Sequence, residues 1–134
     1  MIIASSDVAK WVMSGIESGR YIDGMQGIGD FKDGELIAGV CFESQNKNAM
    51  WGHQHITKPP SKSFWIEVAR YIYIQCGCKR FSAIVDASNE KAIKLNKHIG
   101  FKTEATLAQA GNNGDLLIMT LFKEDCRFLN WIKP

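Results

Sequence analysis

Apolar residues recur at four-residue spacing near the start of the chain, at Val8, Val12 and Ile16 with Trp11 beside them, which predicts a helix over residues 7–18. Asp7 is the expected N-cap and Gly19 the expected stop. The period then shortens. Gln26–Phe31, Glu35–Glu43 and Met50–Ile56 read as three strands, with Asp33-Gly34 as a hairpin turn and Gln45-Asn46-Lys47-Asn48 as a polar turn. Alternation along the third strand puts Trp51, His53 and His55 on one face. Lys58-Pro59-Pro60-Ser61 ends it. Helical spacing returns over residues 63–76 through Phe64/Trp65, Val68/Ala69, Ile72 and Cys76, and Gly77 stops it.

Phe81–Val85 is a short apolar strand, and Asn89–Ile99 is a helix buried through Ala92, Leu95 and Ile99. Phe101–Leu107 and Leu116–Phe122 form a last strand pair, turned by Asn112-Asn113-Gly114. The tail to Pro134 carries Phe128, Trp131 and Ile132 and is expected to pack. A helix crosses between Met50–Ile56 and Phe81–Val85, so these strands should be parallel, joined by a right-handed crossover. The order predicts one α/β domain over residues 1–134, with a mixed, mostly antiparallel central sheet and helices on both faces.

Bulk properties narrow the function classes. With 134 residues, 46% of them hydrophobic, the chain can bury one core. A formal charge of +2 gives no broad field, so nucleic acid is not an expected partner. No apolar stretch is long enough for a membrane span, and the N-terminus lacks the pattern of a secretory signal. Cys41, Cys76, Cys78 and Cys126 contain no C-x-x-C pair. They read as reduced, mostly buried thiols of a cytoplasmic protein, and no metal site is expected.

The most specific pattern is Asn89-Glu90-Lys91-Ala92-Ile93-Lys94-Leu95-Asn96-Lys97-His98-Ile99-Gly100-Phe101. Asn89, Ala92, Leu95, Gly100 and Phe101 fall in register with N-x-x-A-x-x-[LF]-[YF]-x-x-x-G-F of the GNAT superfamily of N-acetyltransferases, and the order of elements resembles that family over residues 1–123. The trimmed length looks most like the acetyltransferase-like proteins of tailed bacteriophages. The resemblance implies acetyl-CoA as cosubstrate and a primary amine as acceptor. It places the pantetheine arm between the strands Met50–Ile56 and Phe81–Val85. It places the diphosphate at the following loop and helix start, where Ile56, Thr57, Lys58, Ser61, Lys62 and Ser63, with Asn89, are the expected cofactor-binding residues.

That loop carries two prolines and no glycine, whereas the family pattern is Q/R-x-x-G-x-G/A. The stretch also reads as an ordinary polar turn with Ser63 as N-cap. Asn96 stands where many GNAT enzymes place a tyrosine acid, and an amide cannot supply a proton near neutral pH. His53, His55 and Glu43 are the candidates for the general base, because imidazole titrates near neutrality and Glu43 could act through a water. Each also reads as a half-exposed polar residue on a sheet face. Two readings stay open: an acetyltransferase, and a GNAT-like module without catalysis that binds a protein partner. A homodimer is a further candidate assembly.

Overall fold

In the computed structural model, residues 1–17 and 19–132 are described. Ser18, the expected last residue of the first helix, and Lys133 and Pro134 of the tail lie outside them.

The chain opens with a strand that the sequence pattern did not reveal. β1 (Ile2–Ser5) pairs antiparallel with β2 (Gln26–Lys32). It is only four residues long, and Ile2 and Ile3 pack into opposite cores, so no one-sided alternation marks it. α1 (Ser6–Ser14) follows at once. Its N-cap is Ser5, whose hydroxyl accepts the Val8 N–H, while the expected cap Asp7 sits in the first turn. The helix ends at Gly15 rather than Gly19.

β2 and β3 (Glu35–Glu43) form a hairpin turned by Asp33 and Gly34, both at positive φ (52° and 85°). β4 (Ala49–Ile56) adds antiparallel to β3. α2 (Lys62–Ala69) continues through wider turns over Arg70–Gln75 and crosses to β5 (Arg80–Asp86), parallel to β4. α3 (Glu90–Ile99) leads to β6 (Lys102–Gly111) and β7 (Gly114–Phe122). The seven strands lie in the order β1-β2-β3-β4-β5-β7-β6. The expected α/β architecture, mixed and mostly antiparallel, is the one observed.

Helices cover both faces. Ala38, Val40 and Phe42 of β3 face α2, Met50 of β4 joins them, and Ile99 of α3 enters the same core. The intervening side of β3 faces α1, where Cys41 packs with Val8, Val12 and Met13. On that side Gly27, Gly29 and Gly39 make a flat seat. A Cβ at any of them would meet Val8 or Val12 at 2.7–3.1 Å. The tail docks as expected: Phe128 is buried and stacks on Trp65 at 5.7 Å, with Trp131 edge-on to Phe128. Tyr73 is buried and donates its hydroxyl to the Leu121 carbonyl at 2.5 Å, tying the end of the crossover helix to β7. Among the described residues no helix is long and apolar enough to cross a membrane.

Three of the four free cysteines are buried and Cys76 is half-buried. Burial pushes the Cys41 thiol up to about 11, and raises Cys78 and Cys126 as well. Only the thiolate reacts, so at pH 8 a disulfide reagent should titrate no more than one thiol rapidly in the native protein, and four in denaturant. Two or more fast thiols in the native state would contradict this packing. Phe128→Ala should cost about 3 kcal/mol in denaturant unfolding, as the tail loses its anchor on Trp65.

Candidate functional site

β4 and β5 are hydrogen-bonded neighbours only at their starts. The ladder pairs Ala49 with Arg80, Met50 with Phe81 and Trp51 with Ser82, and among the described residues no backbone hydrogen bond joins the strands beyond. β4 stays on β3 as far as Ile56, and β5 stays on β7 as far as Asp86. The strands therefore splay, and a cavity of about 780 Å³ opens between them. Its walls are Gly52–Ile56 of β4 and Ala83–Asp86 of β5. Ala92, Leu95 and Asn96 of α3 close one side, and Gly15, Ile16, Glu17 and Arg20 beyond α1 approach the other.

Both faces of β4 contribute. On the α1 side, His53 Nε2 and Glu43 Oε2 are 2.7 Å apart, and both side chains are partly shielded from water. A carboxylate only accepts, so Nε2 carries the ring proton and Nδ1 is the atom left to take another. The next residue on this face, His55, packs against Trp11 with ring centroids 4.7 Å apart. Gly15, the C-cap of α1, lies against the His55 ring: a Cβ there would meet it at 2.4 Å, so the chain can pass over the imidazole only as glycine. His55 thus serves as packing surface under the turn, and His53 is the histidine paired with an acid.

On the α3 side, Gln54 reaches across the base of the cleft and donates its Nε2 to Asn96 Oδ1. Asn96 is fully buried, and its Nδ2 donates to Met119 Sδ at 3.7 Å. The position expected to hold a catalytic group therefore carries a brace between β4, α3 and β7, and its polar atoms are engaged. Gln54 was not among the expected site residues. Its place next to His53 on a strand was the only hint, because the partner is 42 residues away.

Asn89 lines the cleft and caps α3, its Oδ1 accepting the Ala92 N–H at 3.2 Å. Asp86 builds the far wall. Its Oδ1 accepts the Ser88 hydroxyl and N–H, and its Oδ2 accepts the Asn113 N–H of the β6–β7 turn. These donors, the Ser88 hydroxyl foremost, hold the Asp86 carboxyl below the usual carboxylate range. It is a turn residue.

The expected diphosphate loop departs most from expectation. Ile56 lines the cleft, but Thr57, Lys58, Ser61, Lys62 and Ser63 do not. The N-cap of α2 is Ser61 rather than Ser63, its hydroxyl accepting the Phe64 N–H at 3.3 Å. The Ser61 N–H in turn donates to Asp30 Oδ2 at 2.8 Å, which fastens the start of α2 over β2. Among the described residues no cluster of three or more His, Cys, Asp or Glu could hold a metal ion.

No protein-family model matches the sequence, and no curated protein does. Solved structures do match. The spermidine/spermine N-acetyltransferase SpeG of Vibrio cholerae, in mutant form, superposes with a TM-score of 0.71 at 11% identity, covering 99% of this chain and 100% of that one. YncA of Salmonella typhimurium, assigned as an acetyltransferase and solved with its cofactor acetyl-CoA, gives 0.64 at 16% identity over 92% and 93%. The N-acetyltransferase PseH of Campylobacter jejuni gives 0.59 at 17% identity over 76% and 70%.

Asn96→Ala should lower stability by about 2 kcal/mol, because it leaves Gln54 without its partner at the base of the cleft. Denaturant unfolding measures it. A stability change near zero would show that the brace carries no weight.

Proposed function

We propose, from the GNAT fold that these likenesses establish, that the protein is an N-acetyltransferase moving an acetyl group from acetyl-CoA to a primary amine. The observation that carries the reading is the splay of β4 from β5 with the Glu43–His53 pair beside it. The thioester supplies an activated acetyl group: a new N–C bond replaces the C–S bond, the amine loses a proton and the thiol sulfur gains one.

The chain's own residues suit the acyl end of that cosubstrate. Unpaired strand edges past Trp51 and Ser82 offer backbone donors and acceptors to an amide-bearing arm. Ile56, Asn89, Ala92 and Leu95 line its slot. The acceptor enters from the α1 side, past Gly15 and Ile16. His53 takes the amine proton at Nδ1, and Glu43 holds the ring and stabilises the imidazolium that results. Asn96 offers no acid, so water returns the proton to the sulfur. The free, mostly buried thiols suit a cytoplasmic enzyme.

A second reading is supported by the loop between β4 and α2. Its polar groups are turned away from the cleft, as they would be in a fold retained for binding a protein or a second copy of the chain. A spermidine N-acetyltransferase of Vibrio cholerae has been solved as a dodecamer, so neighbours of this fold do assemble.

The test is release of free thiol from millimolar acetyl-CoA across a panel of primary amines, with the acetylated product identified by mass. No release above the uncatalysed rate would sink the enzyme reading and favour the module. With turnover established, His53→Ala should lower kcat about 100-fold and Glu43→Leu about 10-fold at pH 7, the range expected for loss of a positioned base or its orienting acid. KM for acetyl-CoA should stay the same.

A further inference from the structure

The segment between β4 and α2 uses its own amides internally. Thr57 and Lys58 both donate their N–H to the Ile37 carbonyl, at 2.8 and 3.3 Å. Pro59 and Pro60 have none to give. The Ser61 N–H is held by Asp30. In the first turn of α2, the Phe64 N–H is taken by the Ser61 hydroxyl and carbonyl. Only the N–H groups of Lys62 and Ser63 are left to an outside acceptor.

The cationic side chains are engaged as well. Lys58 Nζ sits 2.7 Å from Glu35, and Lys62 Nζ lies 3.9 Å over the Trp131 ring. Asp30 is itself 4% exposed, and its other oxygen lies 3.6 Å from the Met1 amino group. A buried carboxylate thus already occupies the Ser61 N–H next to the helix start. A diphosphate cradle needs several convergent free N–H groups and positive charge free to pair with it, and this segment offers two such N–H groups and two lysines already in contact with Glu35 and Trp131. The slot between β4 and β5, in contrast, is lined by Gly52–Ile56 and Ala83–Asp86, whose facing edges are unpaired past Trp51 and Ser82.

We infer that the donor is recognised through its acyl-pantetheine end, and that its diphosphate and nucleotide add little to binding. The inference rests on the acetyltransferase reading and deepens it: the ligand class is an acyl thioester of pantetheine, of which acetyl-CoA is one carrier.

Calorimetry on the full chain tests it with three ligands: acetyl-CoA, S-acetylpantetheine, and adenosine 3′,5′-bisphosphate as the detached nucleotide end. The expected result is that the two thioesters bind with Kd values within about fivefold of each other, and that the nucleotide does not displace acetyl-CoA. Lys58→Ala and Lys62→Ala, both at surface side chains, should leave the acetyl-CoA Kd unchanged within about twofold. If acetyl-CoA binds about 100-fold more tightly than S-acetylpantetheine, or either lysine variant weakens it about tenfold, the inference falls while the acetyltransferase reading stands. If neither thioester binds at millimolar concentration, both fall together.

Discussion

The site depends on a ladder that stops. β4 and β5 pair over three residues and then part, yet neither strand is left loose. β4 is held by β3 through Ile56, and β5 by β7 through Asp86. Divergence therefore leaves unpaired only the two inner edges, which face an open cleft rather than an apolar core. Buried backbone groups are costly without partners, and here water or a ligand can supply them. The Gln54–Asn96 brace at the base ties β4 to α3, and Asn96 reaches on to Met119 of β7, so β4 is anchored on the cleft side as well as by β3.

The two sides of β4 divide the work. The α1 side presents a histidine fixed by a carboxylate, and the α3 side presents an amide brace and apolar walls. One strand with period two can serve both because successive side chains point in opposite directions. The buried amide at Asn96 needs its partner, so Gln54 and Asn96 are best understood as one unit.

Much of the fold was legible because its signals are local. The Asp33-Gly34 turn needs positive φ at adjacent residues, and Asn89 and Gly100 bracket α3 with an N-cap and a positive-φ stop. Glu43, His53 and His55 were legible as a cluster from strand periodicity, but not their separate duties. The packing of His55 under Gly15 and the pairing of His53 with Glu43 are tertiary events. What stayed hidden was long-range in the same way. Ser61 and Ser63 are equally good caps by type, and the Ser61 cap that forms is held at its N–H by Asp30, 31 residues earlier in the chain. The close approach of Gly15 to the His55 ring was not visible, and β1 is too short to carry a period. The missing glycines of the diphosphate loop were visible, but the direction its amides take instead was not.

The glycine seat under α1 gives that helix the character of a lever. Val8 and Val12 rest directly on Gly27, Gly29 and Gly39, with no side chain from those positions between helix and sheet. The far end of the helix delivers Gly15 and Ile16 to the mouth of the cleft. A methyl group added at the seat would press on Val8 or Val12 at 2.7–3.1 Å, and any shift of the helix would be carried to the mouth of the cleft. The width of that mouth is thus tied to a part of the sheet that does not line the cleft.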